Sequence, residues 1–347
     1  RMLAHFEYGE VAGPAVESLG TLRHGHAVAV LQSLRHPAVD DLETRIERSL
    51  RRLSFLDINQ PEPLPEPLAE PLAPVRVQAG PLDCYGVRTL WFSWKLRDGS
   101  FAGLVLQIGD HDGVRHAVAS RFPNIQEHDD YLDEVNAEEG LYPVSFGYAV
   151  HLVRDAWKQS IERNYYLPPD LYANRYLFGE ADLRPASYLP GFPVELLDGL
   201  FERMASLLSG CEELLEDACF EGWLFTDPLV YELAETLGDL PFDRCSAEVQ
   251  QSLFERFCAE LLEPDKGALL RRLLLTADFM LQIECRNRLV QKVLALGLSM
   301  ASSALPLSLH PFIRRLAFDS IEMARQSLAE GVDPRKNLVY DDDEEWE

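Results

Sequence analysis

Two short runs carry the residue types from which a metal or proton-transfer site could be built. One is Asp110-His111-Asp112, with His116 shortly after; the other is Glu127-His128-Asp129-Asp130. An imidazole beside carboxylates can ligate a divalent cation or take a proton as a general base. On that reading Asp110, His111, Asp112 and His128 are the candidate ligands, and the chemistry is metal-assisted hydrolysis. The spacing fits a turn better. Gly113 stands fourth in Asp110-His111-Asp112-Gly113, whereas a calcium loop places further acidic ligands before its glycine. The first expectation is therefore a polar hairpin tip and a solvated acidic loop, with no metal and no cofactor.

Other chemical signatures are absent from the sequence. No G-x-x-x-x-G-K-[ST] loop occurs, no G-x-G-x-x-G follows a strand, and there is no G-x-S-x-G elbow. His24-Gly25-His26 is a lone short pair. The six cysteines (Cys84, Cys211, Cys219, Cys245, Cys258, Cys285) form no C-x-x-C pair and lie in apolar contexts. They read as buried thiols of a cytoplasmic protein, not as a disulfide or zinc framework.

Charge is the stronger signal. The 347 residues hold 32 Lys+Arg against 57 Asp+Glu, a net of -25, and the excess is segregated. From Phe192 to Leu240 twelve acids face a single base, Arg203; from Asp265 to Arg315 eight bases face three acids. The chain ends in Tyr340-Asp341-Asp342-Asp343-Glu344-Glu345-Trp346-Glu347, acidic with aromatic handles. Clustered charge steers association with charged partners. So acidic a chain is a poor ligand for nucleic acid or anionic membranes, which need many cations on the protein. The expected partner is another protein, a basic one being the natural match. The candidate binding residues are Tyr340, Asp341, Asp342, Asp343 and Trp346 of the tail. Arg271, Arg272, Arg314 and Arg315 form the basic counterpart on which such a tail can dock, in the same chain or another. The leading expectation is a non-enzymatic adaptor, assembly factor or regulator. A metal-dependent hydrolase is the alternative, and an acidic mimic of nucleic acid the second alternative.

The elements that must position these residues follow from periodicity and punctuation. Residues 1–60 form an N-terminal helical element, read as helix over 15–53 and divided at Pro37, with Leu42, Ile46, Leu50 and Leu53 on one face and Arg45, Arg48, Arg51 and Arg52 on the other. The Glu-Pro-Leu near-repeats at 61–74 forbid helix and read as a semi-rigid linker. Within 75–190, three antiparallel strands are expected over 85–96, 101–109 and 114–121, separated by Asp98-Gly99 and Asp112-Gly113. The acidic stretch 124–140 reads as irregular. Residues 191–332 read as helices near 193–209, 211–222, 227–238, 246–263, 266–286, 288–304 and 310–330, and 333–347 as an acidic tail. The segment 293–305 is too short to span a membrane. The fold class expected is α+β, mainly α: N-terminal helices and a small antiparallel meander, then a helical bundle or an irregular stack resembling an α-solenoid.

Overall fold

A computed structural model describes residues 9–34, 40–58, 71–179, 181–238, 240–302 and 305–337. The fold is α+β and mainly α, with one small antiparallel sheet. Three helices come first: α1 (Gly9–Leu19), α2 (Gly25–Ser33) and α3 (Asp40–Ser54). They bury a core of their own, made of Val16, Val28, Leu31, Leu42, Ile46 and Leu53 among others. Ser49 Oγ donates to Val16 O at 3.0 Å and fixes the α1–α3 crossing.

The sheet has five strands: β1 (Pro71–Ala79), β2 (Val87–Leu96), β3 (Phe101–Gly109), β4 (Gly113–Phe122) and β5 (Tyr142–Pro143). Their spatial order is β4-β3-β2-β1-β5, antiparallel throughout. The expected meander is present as β2–β4, with its turns at Asp98-Gly99 and Asp110–Asp112. Two strands were not expected. β1 begins inside the proline-rich run, with Pro71 opposite Leu96 and Pro74 opposite Trp94, and its register shifts on either side of Pro74. The pairing is tolerated because β5 covers β1 only at Gln78 and Ala79, so the prolines meet no second ladder.

The second correction concerns 124–140, expected to be irregular. It is helix α4 (Ile125–Glu139), capped by Asn124, whose Oδ1 accepts the Glu127 amide at 3.0 Å, and closed by Gly140. Most of its acids face outward, Glu139 instead accepting from Thr89 Oγ1 on β2 at 2.6 Å, while His128, Tyr131, Leu132 and Val135 recur at helical spacing and cover Trp91, Phe101 and Phe122. The opposite face of the sheet (Leu90, Phe92, Trp94, Leu104, Leu106) packs on α5 (Phe146–Glu162) and on Phe178. Both faces of β2 are thus covered, which is why its side chains are buried almost without alternation.

After α5 come α6 (Pro169–Asn174), a 3-10 turn (Arg175–Phe178) and an extended run over 181–193, pinned where Tyr188 Oη donates to Asp278 at 2.9 Å. Helices expected over 193–222 are replaced by fragments: α7 (Val194–Leu197), α8 (Met204–Leu208) and 3-10 turns at Cys211–Glu216 and Ala218–Phe220. Gly199 (φ 63°) and Gly210 (φ 71°) stand between them in the left-handed region, where a right-handed helix cannot continue. The later helices agree with expectation: α9 (Pro228–Glu235), α10 (Ala247–Phe257, with a π turn at Cys258–Leu262), α11 (Lys266–Gln282), α12 (Asn287–Ser302) and α13 (Pro311–Ala329); a short α14 (Pro334–Asn337), at the start of the stretch read as an acidic tail, was not expected. One core runs from Val77 on the sheet to Ala324 on α13. Trp223 Nε1 donates to Leu82 O at 2.7 Å and the Cys84 amide to Gly222 O at 3.3 Å, stitching the β1–β2 loop to the helices.

Candidate functional site

The residues with metal-binding chemistry are separated by the sheet. Asp110 follows β3 directly and is bonded to Arg272, Nε to Oδ2 at 2.9 Å and Nη2 to Oδ1 at 3.3 Å, while Arg272 Nη1 donates to Cys84 O at 2.8 Å. Gly86 (φ 81°) makes room for the pair, since a Cβ there would lie 2.0 Å from Asp110 Oδ1. Burial pushes the Asp110 carboxyl above its ordinary range, against the pull of Arg272. His111 and Asp112 bond one another at 2.9 Å on the exposed β3–β4 turn. His128 lies at the other end of that hairpin, buried among Trp91, Phe101 and Phe122, its Nδ1 2.8 Å from Asp129 Oδ1 and its Nε2 without a hydrogen-bond partner. Because Gly109 pairs with Gly113 and Phe101 with Phe122, eight residues of strand, about 26 Å, separate the two places. Among the described residues no three His, Cys, Asp or Glu side chains converge as a ligand set.

The basic residues expected to receive the tail are engaged within the body. Arg271 pairs with Asp155 at 2.5 Å and Arg272 with Asp110. Arg314 lies 4.2 Å over the Phe254 ring and donates to Gln251 Oε1 at 2.7 Å and Ser308 O at 3.2 Å. Arg315 pairs with Asp319 at 2.6 Å, four residues on along α13. Arg271, Arg272 and Arg314 tie their helices to neighbouring elements, while Arg315 is exposed and paired along its own helix. Tyr340, Asp341, Asp342, Asp343 and Trp346 lie outside the described residues.

Uncommitted positive charge is found instead on the three N-terminal helices. On α3 the 100° step per residue puts Leu42, Ile46 and Leu53 inward and Arg48, Arg51, Arg52 and the following Phe55 outward. The turn after α1 brings Gly20, Thr21 and Arg23 alongside, and together these residues and Leu56 line an open cleft of about 590 Å³. That lies within the size range of ligand sites. Among the described residues none of Arg23, Arg48, Arg51 and Arg52 has an ion pair or a side-chain hydrogen bond. Arg45, next along the helix, differs in pairing with Glu17 at 3.0 Å. Phe55 is 81% exposed and Leu22 54%. Four guanidinium groups beside an exposed aromatic ring offer bidentate bonds to carboxylates and a stacking surface for a second ring.

Two other concavities have polar walls that are already satisfied. In the cleft of about 240 Å³ between Tyr85, Asp227, Asp265 and Arg272, the arginine is held by Asp110, and Tyr85 Oη donates to Asp227 at 2.9 Å and accepts from the Thr226 amide. In the groove of about 310 Å³ along Glu221, Asp319, Glu322 and Met323, Asp319 is paired with Arg315 and Glu322 with Arg325. The acids of 195–235 are mostly exposed but spread over several short pieces, and Glu213, Glu232 and Glu235 are paired with Lys292, Arg256 and Arg335.

No family model, no curated protein and no solved structure matches this chain. The arginine stripe on α3 is visible in the sequence. Its distinguishing property, the lack of counter-charges, is not visible there. The one available signal is the apolar pair Phe55-Leu56, placed past the stripe where a solvated helix end would carry polar residues.

Proposed function

We propose that this protein is a non-enzymatic interaction protein, an adaptor or regulator, that binds an acidic, aromatic-bearing segment of another protein in the arginine cleft of α1–α3. The observation that carries this reading is the set of four exposed arginines, free of counter-charges among the described residues, around an apolar floor. Like charges held together repel, and an anionic ligand relieves that repulsion while Phe55 and Leu56 bury its apolar side chains.

The test is binding of a synthetic ten-residue peptide of Asp and Glu with one Tyr and one Trp, followed by calorimetry. Arg51→Glu with Arg52→Glu should weaken it at least about tenfold, and salt should weaken binding to the unaltered protein. Arg286→Glu with Arg288→Glu, the same charge change at the exposed α11–α12 turn, should leave affinity within about twofold. Equal loss in both variants would reduce the effect to net charge, and no loss in either would remove the cleft from the reading.

A further inference from the structure

We infer that the occupant of the arginine cleft is the chain's own C-terminal segment, residues 338–347, bound within the same molecule and closing the cleft to other acidic proteins. This rests on the cleft being a site for acidic peptides, as proposed above. Charge complementarity selects the segment. It carries six carboxylates in ten residues and no Lys or Arg, with Leu338, Val339, Tyr340 and Trp346 as apolar side chains. The cleft offers four guanidinium groups, Phe55 and Leu56. The cations nearer in sequence to the tail are largely occupied. Arg271, Arg272, Arg314 and Arg315 are bonded as described, Lys292 holds Glu213 and Gly210 O, and Arg335 holds Glu235 and Asp333. Arg286 and Arg288 are the competing target, exposed at the α11–α12 turn.

Both sides of the contact are parts of one chain: residues 338–347 follow α14 directly, and the twelve residues 59–70 between α3 and β1 reach about 40 Å when extended. Tethering turns a weak ionic contact into a populated one, because a short linker sets an effective concentration on the order of millimolar. An external acidic partner must then displace the tail, so removing the tail's charge should raise that partner's affinity.

The chain supplies its own reporter. Of its five tryptophans, Trp91, Trp94, Trp157 and Trp223 are buried, at 0%, 1%, 5% and 1% exposure, which leaves Trp346 as the one that docking would cover or release. Acrylamide quenching of the full-length protein at low salt is the experiment. Trp346 should be protected in the unaltered chain and in Arg286→Glu/Arg288→Glu. It should become quenchable, with a red-shifted contribution, in Arg51→Glu/Arg52→Glu and at high salt. Asp341→Asn/Asp342→Asn/Asp343→Asn should release it too and should tighten the synthetic acidic peptide several-fold. Equal quenching of Trp346 in the unaltered chain and the cleft variant would overturn the inference, as would protection that vanishes on dilution or responds to Arg286 and Arg288. If the cleft variant loses the synthetic peptide while Trp346 is exposed throughout, the cleft stands as a binding site and the tail is not its occupant. If neither the peptide nor the tail responds, the reading of the cleft itself fails.

Discussion

Two adjacent arginine pairs, Arg51-Arg52 on α3 and Arg271-Arg272 on α11, look alike in sequence and stand in opposite environments. Arg272 is buried and bonded to Asp110 and to Cys84 O, and Arg271 reaches Asp155. Arg51 and Arg52 project from the outer face of α3 and bond to nothing described. The difference is one of solvation. A guanidinium withdrawn from water must be compensated at once, so the fold recruits carboxylates 116 and 162 residues away. An exposed guanidinium keeps its water and its freedom, and it is the one a ligand can recruit.

The sharpest way to break this comparison is to remove one partner of the buried pair. Arg272→Ala or Asp110→Ala should each cost about 3–5 kcal/mol in chemical denaturation, because the remaining charge is left buried and unpaired. Replacing both together with Met and Leu should cost far less. A single-mutant loss below about 1 kcal/mol, the level of an exposed pair, would show that water reaches the site and that the two regions do not differ as described.

A smaller effect is expected from pH at a buried imidazole among the C-terminal helices. Burial holds the His310 imidazole below its ordinary value. Its folded state binds a proton less readily than the unfolded chain, so its stabilising contribution is present above the unfolded value of about 6.5 and is lost as pH falls through the folded value. Unfolding free energy measured between pH 7.5 and 5 should fall more steeply for the unaltered chain than for His310→Gln. Identical slopes would mean that the imidazole is solvated. Buried carboxylates such as Asp278, held above their ordinary range, act in the opposite sense, which is why the difference between the two chains is the quantity to read.

The smallest change is expected from Arg51→Glu with Arg52→Glu. Stability should move by no more than about 0.5 kcal/mol, as for surface positions away from packed features. The same variant should carry the large loss of peptide binding given above. A stability loss comparable with that of Arg272→Ala would turn the cleft into a structural feature and erase the contrast.

What sequence reading recovered, and what it missed, follows the same division between local and distant effects. The β2–β4 meander was legible because Asp98-Gly99 and Asp112-Gly113 punctuate alternating apolar runs, a signal contained within a few residues. α4 was obscured by its seven acids, although His128, Leu132 and Val135 already marked an inward stripe. β1 was hidden by prolines that are tolerated only because the neighbouring edge is open, a fact of the assembled sheet. The broken helices of 193–222 look continuous from their leucines, and Gly199 and Gly210 decide otherwise. For the site, the α3 stripe was legible as a pattern. That Arg271, Arg272 and Arg314 would be consumed internally was not, since their partners are fixed by tertiary packing; only Arg315, paired with Asp319 one helical turn on, was legible locally.

The stitching of the β1–β2 loop to the helices has a further consequence. The sheet and the C-terminal helices share one core, and the hydrogen bonds Trp223–Leu82 and Cys84–Gly222 cross between parts of the chain that lie far apart in sequence. A protease nick in the extended run 181–193 would cut the backbone without dividing that core. The two fragments should elute together on gel filtration until denaturant parts them, and when produced separately each should need the other to fold.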